Sequence, residues 1–218
     1  MSGAGAALRS RVLGLLALVA AGAGCAAVDR ALPRAPTPST DEGEWAQRRD
    51  AASRGAELYD GLDRRAAASA TWLSAPVREA LARRLAAWQA WSPEELNAEL
   101  ARARIEAAQG EDFVVAFYAA DQVANDLDSP RSVWRIEIDD GSRRVAAAKV
   151  SGVRADATIV QLYPYVGTFD VVYRVHVPWG GAPLDGRPFT LRIASAYGRL
   201  DLDFGPGGTP ALRPHLFP

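Results

Sequence analysis

The stretch Gly110-Glu111-Asp112-Phe113-Val114-Val115-Ala116-Phe117-Tyr118 marks the point at which the hydrophobic pattern of this 218-residue chain changes. Before Gly110 the apolar residues recur about every 3.6 positions, which is typical of helices, and after it they alternate with a period of two, which is typical of strands. Residues 112–118 are apolar on both faces, as in a fully buried strand. The sequence therefore predicts an α+β fold, in which antiparallel helices precede an antiparallel β-sandwich or open barrel.

Two of the three predicted helices precede Ser92. The first covers residues 43–71, where apolar residues recur at helical spacing, although Gly55 and Gly61 weaken the pattern. The second begins near Pro76, and its apolar face consists of Val77, Leu81, Leu85 and Trp88.

A third helix has the clearest start signal in the chain. Ser92 is the expected N-cap, Pro93 occupies the first helical position, and Glu95 completes a capping box. Gly110 suits the position just beyond the end of this helix. Its apolar stripe consists of Leu96, Leu100, Ala103 and Ala107. Short connections between the helices predict antiparallel neighbours.

About seven strands are predicted after Gly110. Asp140-Gly141 predicts a hairpin turn, since both residues tolerate positive φ. In the longest strand, His176 alternates with apolar residues, which predicts that it lies on a solvated face beside Asp170 and Arg174. The predicted strands cover residues 112–118, 133–139, 145–153, 158–163, 169–177, 189–195 and 200–204.

The first 24 residues have the features of a secretory signal. Arg9 and Arg11 precede an apolar run at residues 12–23, which is too short to span a bilayer. The run ends in Gly22-Ala23-Gly24-Cys25, which resembles the lipobox of bacterial lipoproteins, with Gly22 where Leu, Val or Ile is usual. The resemblance implies cleavage before Cys25 and lipidation of its sulfur. The alternative is an ordinary signal peptide cleaved after Ala21-Gly22-Ala23.

The residues after Cys25 bear on location and on domain organisation. In lipoproteins an aspartate at this point favours the inner membrane, and here Ala26 and Ala27 follow, which predicts the periplasmic face of the outer membrane. Residues 25–42 comprise the lipidated cysteine and a proline-rich tether. The expected organisation continues with a helical region at residues 43–110, a β-domain at 111–204 and a Gly/Pro-rich tail at 205–218.

Composition narrows the range of partners. The chain has 25 basic and 26 acidic residues, without the basic stripe that nucleic-acid binding requires, so no nucleic-acid partner is expected. Cys25 is the only cysteine, so the fold is expected to hold without a disulfide. The expected membrane contact is through the lipid on Cys25.

Catalytic motifs are scarce. The only histidines are His176 and His215, and the chain has no nucleophile motif and no phosphate-binding glycine loop. We therefore expect no enzymatic activity, no cofactor and no metal. Calcium binding by loop carboxylates is a lesser alternative, because Asp and Asn are also common turn residues. The loop residues concerned are Asp121, Asn125, Asp126, Asp128, Asp139 and Asp140.

Three aromatic residues are candidates for contact with a ligand or partner. Trp179 lies in a loop rich in glycine and proline, and Tyr163 and Tyr165 flank Pro164 in a predicted turn. If these residues are adjacent and exposed, they form an amphipathic contact patch. The favoured alternative is that Trp179 folds over the open end of the β-domain as a plug.

The sequence thus predicts an envelope lipoprotein with a non-enzymatic binding or structural role, whose partner is an envelope protein or a glycan. The alternative is an envelope hydrolase that acts through paired carboxylates, with glycan as the candidate substrate.

Overall fold

The computed structural model describes residues 40–180 and 183–213. The predicted signal peptide, Cys25, most of the predicted tether and His215 therefore lie outside the described residues.

The described residues form four α-helices, one short 3₁₀ helix at Gln122–Ala124 and nine strands. The helices are α1 (Thr40–Ala51), α2 (Ala75–Gln89), α3 (Pro93–Gln109) and α4 (Ala157–Leu162). The strands are β1 (Ser53–Asp60), β2 (Asp63–Trp72), β3 (Glu111–Ala119), β4 (Arg135–Asp139), β5 (Arg144–Ala146), β6 (Lys149–Val153), β7 (Val171–Val177), β8 (Thr190–Ser195) and β9 (Gly198–Asp203). The predicted α+β class is confirmed.

The strands form two antiparallel sheets. A five-stranded sheet has the order β1-β2-β3-β7-β6, and a four-stranded sheet has the order β5-β4-β8-β9. Side chains from both sheets meet in one buried cluster. Its members from the strands include Phe113, Val115, Ile136, Ile138, Tyr173, Val175, Leu191, Ile193, Leu200 and Leu202.

A second buried cluster lies on the other side of the five-stranded sheet. Because successive side chains of a strand point to opposite faces, the residues that alternate with those of the first cluster contact the helices. From β3 and β7 these are Val114, Ala116 and Val172, and from the helices they include Trp45, Val77, Ala80 and Leu162. The helices therefore cover one face of the five-stranded sheet.

The prediction of one helix over residues 43–71 is wrong beyond Ala51, because β1 and β2 form a hairpin there. Alanines dominate β2, and their spacing is compatible with a helix, but β2 lies between β1 and β3 and is buried on both faces. Small side chains fit this position, so packing overrides intrinsic propensity. Gly61, with φ +62°, forms the hairpin turn.

Two predicted strands also need correction. Residues 158–163 lie mostly in α4, whose N-cap Asp156 accepts a hydrogen bond from the Ile159 amide. The predicted strand at residues 145–153 is divided, since β5 pairs with β4 in one sheet and β6 pairs with β7 in the other. The chain changes sheets at Ala147 and Ala148, whose amides donate to the carbonyls of Ile136 and His176 respectively.

Local signals predicted α3 and one hairpin well. Ser92 and Glu95 form the expected capping box at the start of α3. The turn after β4 is a hairpin, although only Gly141 of the predicted pair has positive φ. Asp140 instead accepts hydrogen bonds from the Ser142 hydroxyl and from the amides of Ser142 and Arg143, and these bonds lower its pKa to about 2.

We expect a fragment covering residues 42–109 to melt weakly and without cooperativity. It would lack β3, so one edge of β2 would lose its partner and the helices would lose part of the sheet that they cover. Helices of this length are marginal alone in water. Circular dichroism during heating tests this, with the full chain as control. A sharp two-state transition in the fragment would show that this region folds alone.

Candidate functional site

The three aromatic contact candidates are all buried. Trp179 is 6% exposed and belongs to the cluster between the sheets, and the Arg143 guanidinium lies 3.9 Å from the centroid of its ring. Tyr163 and Tyr165 belong to the other cluster, beneath the helices. Burial raises the pKa of Tyr163 to about 12 and also raises that of Tyr165. The three residues thus form no common surface, and the position of Trp179 matches the plug alternative.

Four of the five loop carboxylates considered for calcium bind the protein itself, whereas Oδ1 of Asp126 is buried without a hydrogen-bond partner among the described residues. Asp121 accepts from the Val123 amide, Asp128 accepts from the Gly152 amide, and Asp139 forms a 2.8 Å ion pair with Arg144. No group of three or more His, Cys, Asp or Glu residues suited to a metal occurs among residues 40–180 and 183–213.

The best candidate site is built around Asp112, near the start of β3. Its side chain is only 10% exposed and lies on the face of the sheet that the helices cover. One carboxylate oxygen bonds to the Arg78 guanidinium, and the other lies 3.0 Å from Nδ1 of His176. The carboxylate therefore connects α2 to two neighbouring strands.

Arg78 satisfies two carboxylates at once. It lies on α2 with a side chain that is 5% exposed, and its Nε donates to the Leu73 carbonyl at 2.8 Å. One terminal nitrogen bonds to Glu106 of α3 at 2.9 Å, and the other bonds to Asp112. A buried ion pair is tolerated only when its remaining donors and acceptors are satisfied, and this one meets that condition.

Beside this ion pair lies a surface cleft of about 340 Å³ between the end of α3 and the strands β6 and β7. Its walls include the carboxylates of Glu106 and Asp112 and, on the two strands, Lys149, Ser151, Arg174 and His176. Arg174 approaches Glu106 and Asp112 only at 3.7 and 3.9 Å. In the described part of the chain, Lys149 has no ion-pair partner within 4.0 Å. The cleft therefore carries cations that are incompletely neutralised.

Gly110 allows α3 to approach this site closely. A Cβ at this position would lie 2.4 Å from the Val177 carbonyl oxygen and 2.9 Å from Cε1 of His176. Its φ of +153° is also rarely adopted by residues with a side chain. The glycine expected beyond the end of α3 thus also leaves room for the His176 ring.

The sequence prediction for His176 was wrong in one respect. His176 does lie on the polar face of β7 with Arg174, but the ring is only 29% exposed and is paired with Asp112. The helices cover this face, so it is not simply solvated. The missed signal was Asp112 itself, because a carboxylate within an otherwise apolar strand requires a buried cation.

A second acidic group has a perturbed environment. Burial raises the pKa of Glu111, and the nearby charge of Asp185 raises it further. The Trp72 indole donates to Glu111 at 2.7 Å and opposes this rise. Glu111 is thus a carboxyl group that retains its proton to higher pH than usual.

Comparison with known protein families, with curated proteins and with solved structures finds no match for this chain. Among the described residues, no helix is long and apolar enough to span a membrane.

Replacing Trp179 with Ala should lower the free energy of unfolding by about 3–5 kcal/mol, because the change leaves a cavity in the core between the sheets. Trp88→Ala is the matched control. Trp88 is 44% exposed on α2, so its removal should cost much less. Urea denaturation of both variants measures the difference. An unchanged stability for Trp179→Ala would contradict the plug.

Replacing Glu111 with Gln should stabilise the protein at neutral pH. The folded state retains the Glu111 proton at pH values where the unfolded chain has lost it, so the stability of the parent falls as the pH rises through this range. Glutamine keeps an acceptor for Trp72 without the charge. The gain should vanish below the ordinary glutamate pKa of about 4.3.

Thermal melting as a function of pH tests the Glu111 prediction. The control is Glu94→Gln, at an acidic position in the first turn of α3, where loss of a favourable charge should slightly destabilise the helix. A gain for Glu111→Gln that is equally large at pH 3 would refute the ionisation argument.

Proposed function

We propose that this protein is a lipid-anchored binding protein of the cell envelope, without enzymatic activity. The observation that carries the proposal is the position of Cys25, the only cysteine, at the end of the apolar run at residues 12–23. Acylation at Cys25 would hold the protein at the membrane, and Ala26 and Ala27 favour the periplasmic face of the outer membrane. The partner would be another envelope component, a protein or a glycan.

The strength of such an anchor supports a stable membrane location. Each buried acyl CH₂ contributes about 0.8 kcal/mol, and a single chain holds only marginally, whereas two or more signals give stable attachment. Two or three acyl chains on Cys25 would therefore keep the protein on its membrane. The proline-rich residues that follow would hold the body clear of the bilayer.

The body supports a binding role through its scaffold. The two sheets would pack as a β-sandwich, and the buried cluster between them would give a binding site on the outer face a rigid support. The cleft beside Asp112 lies on the outer face of the five-stranded sheet, under the end of α3. Its two carboxylates are held by Arg78, and Asp112 also holds the His176 ring, so part of the cleft wall is already positioned for a polar ligand.

A second candidate function is hydrolysis through paired carboxylates, with glycan as the candidate substrate. The observation that favours it is the carboxyl group of Glu111, which lies near Asp185 and whose pKa is raised by burial, because such a group can act as a proton donor. Glycan hydrolysis by the purified protein, abolished in Glu111→Gln, would favour this candidate over binding alone.

Replacing Cys25 with Ala should release the protein from the membrane without unfolding its body. The reason is that the acyl chains would be lost, while the change lies outside the described residues, which begin with α1. Fractionation after a high-salt wash, together with the melting temperature of the released protein, measures both effects. Retention of the variant in the washed membranes would contradict the lipid anchor.

Ala26→Asp is the matched control for this experiment. It should leave acylation intact, so that the protein remains membrane-bound, but it should redirect the protein from the outer to the inner membrane. Density-gradient separation of the two membranes distinguishes these locations.

A further inference from the structure

We propose that the cleft between α3, β6 and β7 binds a phosphate monoester group through Lys149, Ser151, Arg174 and His176. This inference rests on the binding role proposed above, but not on the lipid anchor. The volume of the cleft, about 340 Å³, lies within the usual range for small-ligand sites.

The charge of the cleft favours an anion. Its two carboxylates, Glu106 and Asp112, both bind Arg78 directly. Counting Arg78, the groups around the cleft comprise three cations and two carboxylates, a net charge of +1 when His176 is neutral. This small positive excess favours an anion over a cation.

The donors in the cleft have capacity to spare. Among the described residues, the side chains of Lys149, Ser151 and Arg174 form no hydrogen bond, and the contacts of Arg174 with carboxylates are longer than 3.5 Å. His176 uses Nδ1 for Asp112, which leaves Nε2 for a ligand. Charged donors that make no hydrogen bond in the described part of the chain, on the wall of a cleft, indicate a site for a charged acceptor.

The register of the strands favours phosphate over a simple carboxylate. Lys149 lies opposite His176, and Ser151 lies opposite Arg174, so the four residues occupy adjacent positions on one face of two paired strands. Directly opposed residues have Cβ atoms about 4.5–5.5 Å apart. Donors arranged around such a square suit a group with three acceptor oxygens in different directions, which a phosphate monoester provides and a planar carboxylate does not.

The test is calorimetric titration of the full chain carrying Cys25→Ala, which has no acyl chains of its own. Glycerol 1-phosphate is the soluble probe and acetate the carboxylate control. Phosphatidylcholine vesicles with and without phosphatidic acid test the lipid headgroup as the source of the phosphate. Binding to glycerol 1-phosphate or selectively to phosphatidic acid supports the site. Binding to neither, or equally tight binding of acetate, overturns it.

Variants test the residues. Lys149→Gln and Arg174→Gln should each weaken phosphate binding by about tenfold or more, because each removes a charged donor. Glu106→Gln should strengthen binding, since it removes a competing carboxylate. Arg199→Gln, at an arginine of β9 that is 67% exposed and lies in the other sheet, is the control and should change nothing.

Lys149 provides the decisive variant, because its side chain is exposed and has no hydrogen bond or ion pair with any residue that the structure describes. Unchanged affinity in Lys149→Gln would overturn the site. These measurements are independent of membrane fractionation. Absence of phosphate binding would therefore contradict only the phosphate site. Retention of Cys25→Ala in the washed membranes would contradict only the lipid anchor.

Discussion

The buried carboxylate of Asp112 is the constraint on which the arrangement of helices and sheet depends. A lone charge at this depth would be costly, so the fold must bring cationic or donating partners to it. Arg78 comes from α2 and His176 from β7, and Glu106 of α3 shares the same guanidinium. Removing one partner of such a buried pair typically costs about 3–5 kcal/mol. The position of α2 and α3 on the sheet is therefore fixed by charge as well as by apolar packing.

This network also determines the character of the adjoining cleft. Arg78 pairs with the carboxylates of Glu106 and Asp112 from the buried side. Arg174, on the surface, approaches the same carboxylates only at 3.7 and 3.9 Å. Lys149, from the edge strand β6, adds a second cation with its side chain exposed. The cations thus differ in their surroundings, since Arg78 is buried among its partners whereas Lys149 and Arg174 line the cleft.

Short-range signals in the sequence correctly predicted some of the helices and strands but not others. The capping residues of α3 and the alternation in β4 and β7 predicted those elements, because short-range interactions determine them. The hairpin of β1 and β2 was missed, since its alanines acquire their strand conformation from neighbours distant in sequence. The site was missed for the same reason. Asp112 and His176 are 64 positions apart, and nothing local to either residue indicates the other.

The pairing of β3 with β7 has a consequence for the order of folding events. The pairs run from Glu111 opposite Val177 to Phe117 opposite Val171, so this central ladder joins residues that are 54 to 66 positions apart. Closing so long a loop carries an entropic cost before any contact compensates for it, and such topologies fold slowly. Strands β1, β2 and β3 can pair as soon as their own residues have been synthesised, but the other edge of β3 stays open until β7 is available. During that interval the nascent chain exposes an apolar strand edge, which is the kind of edge at which partly folded chains aggregate.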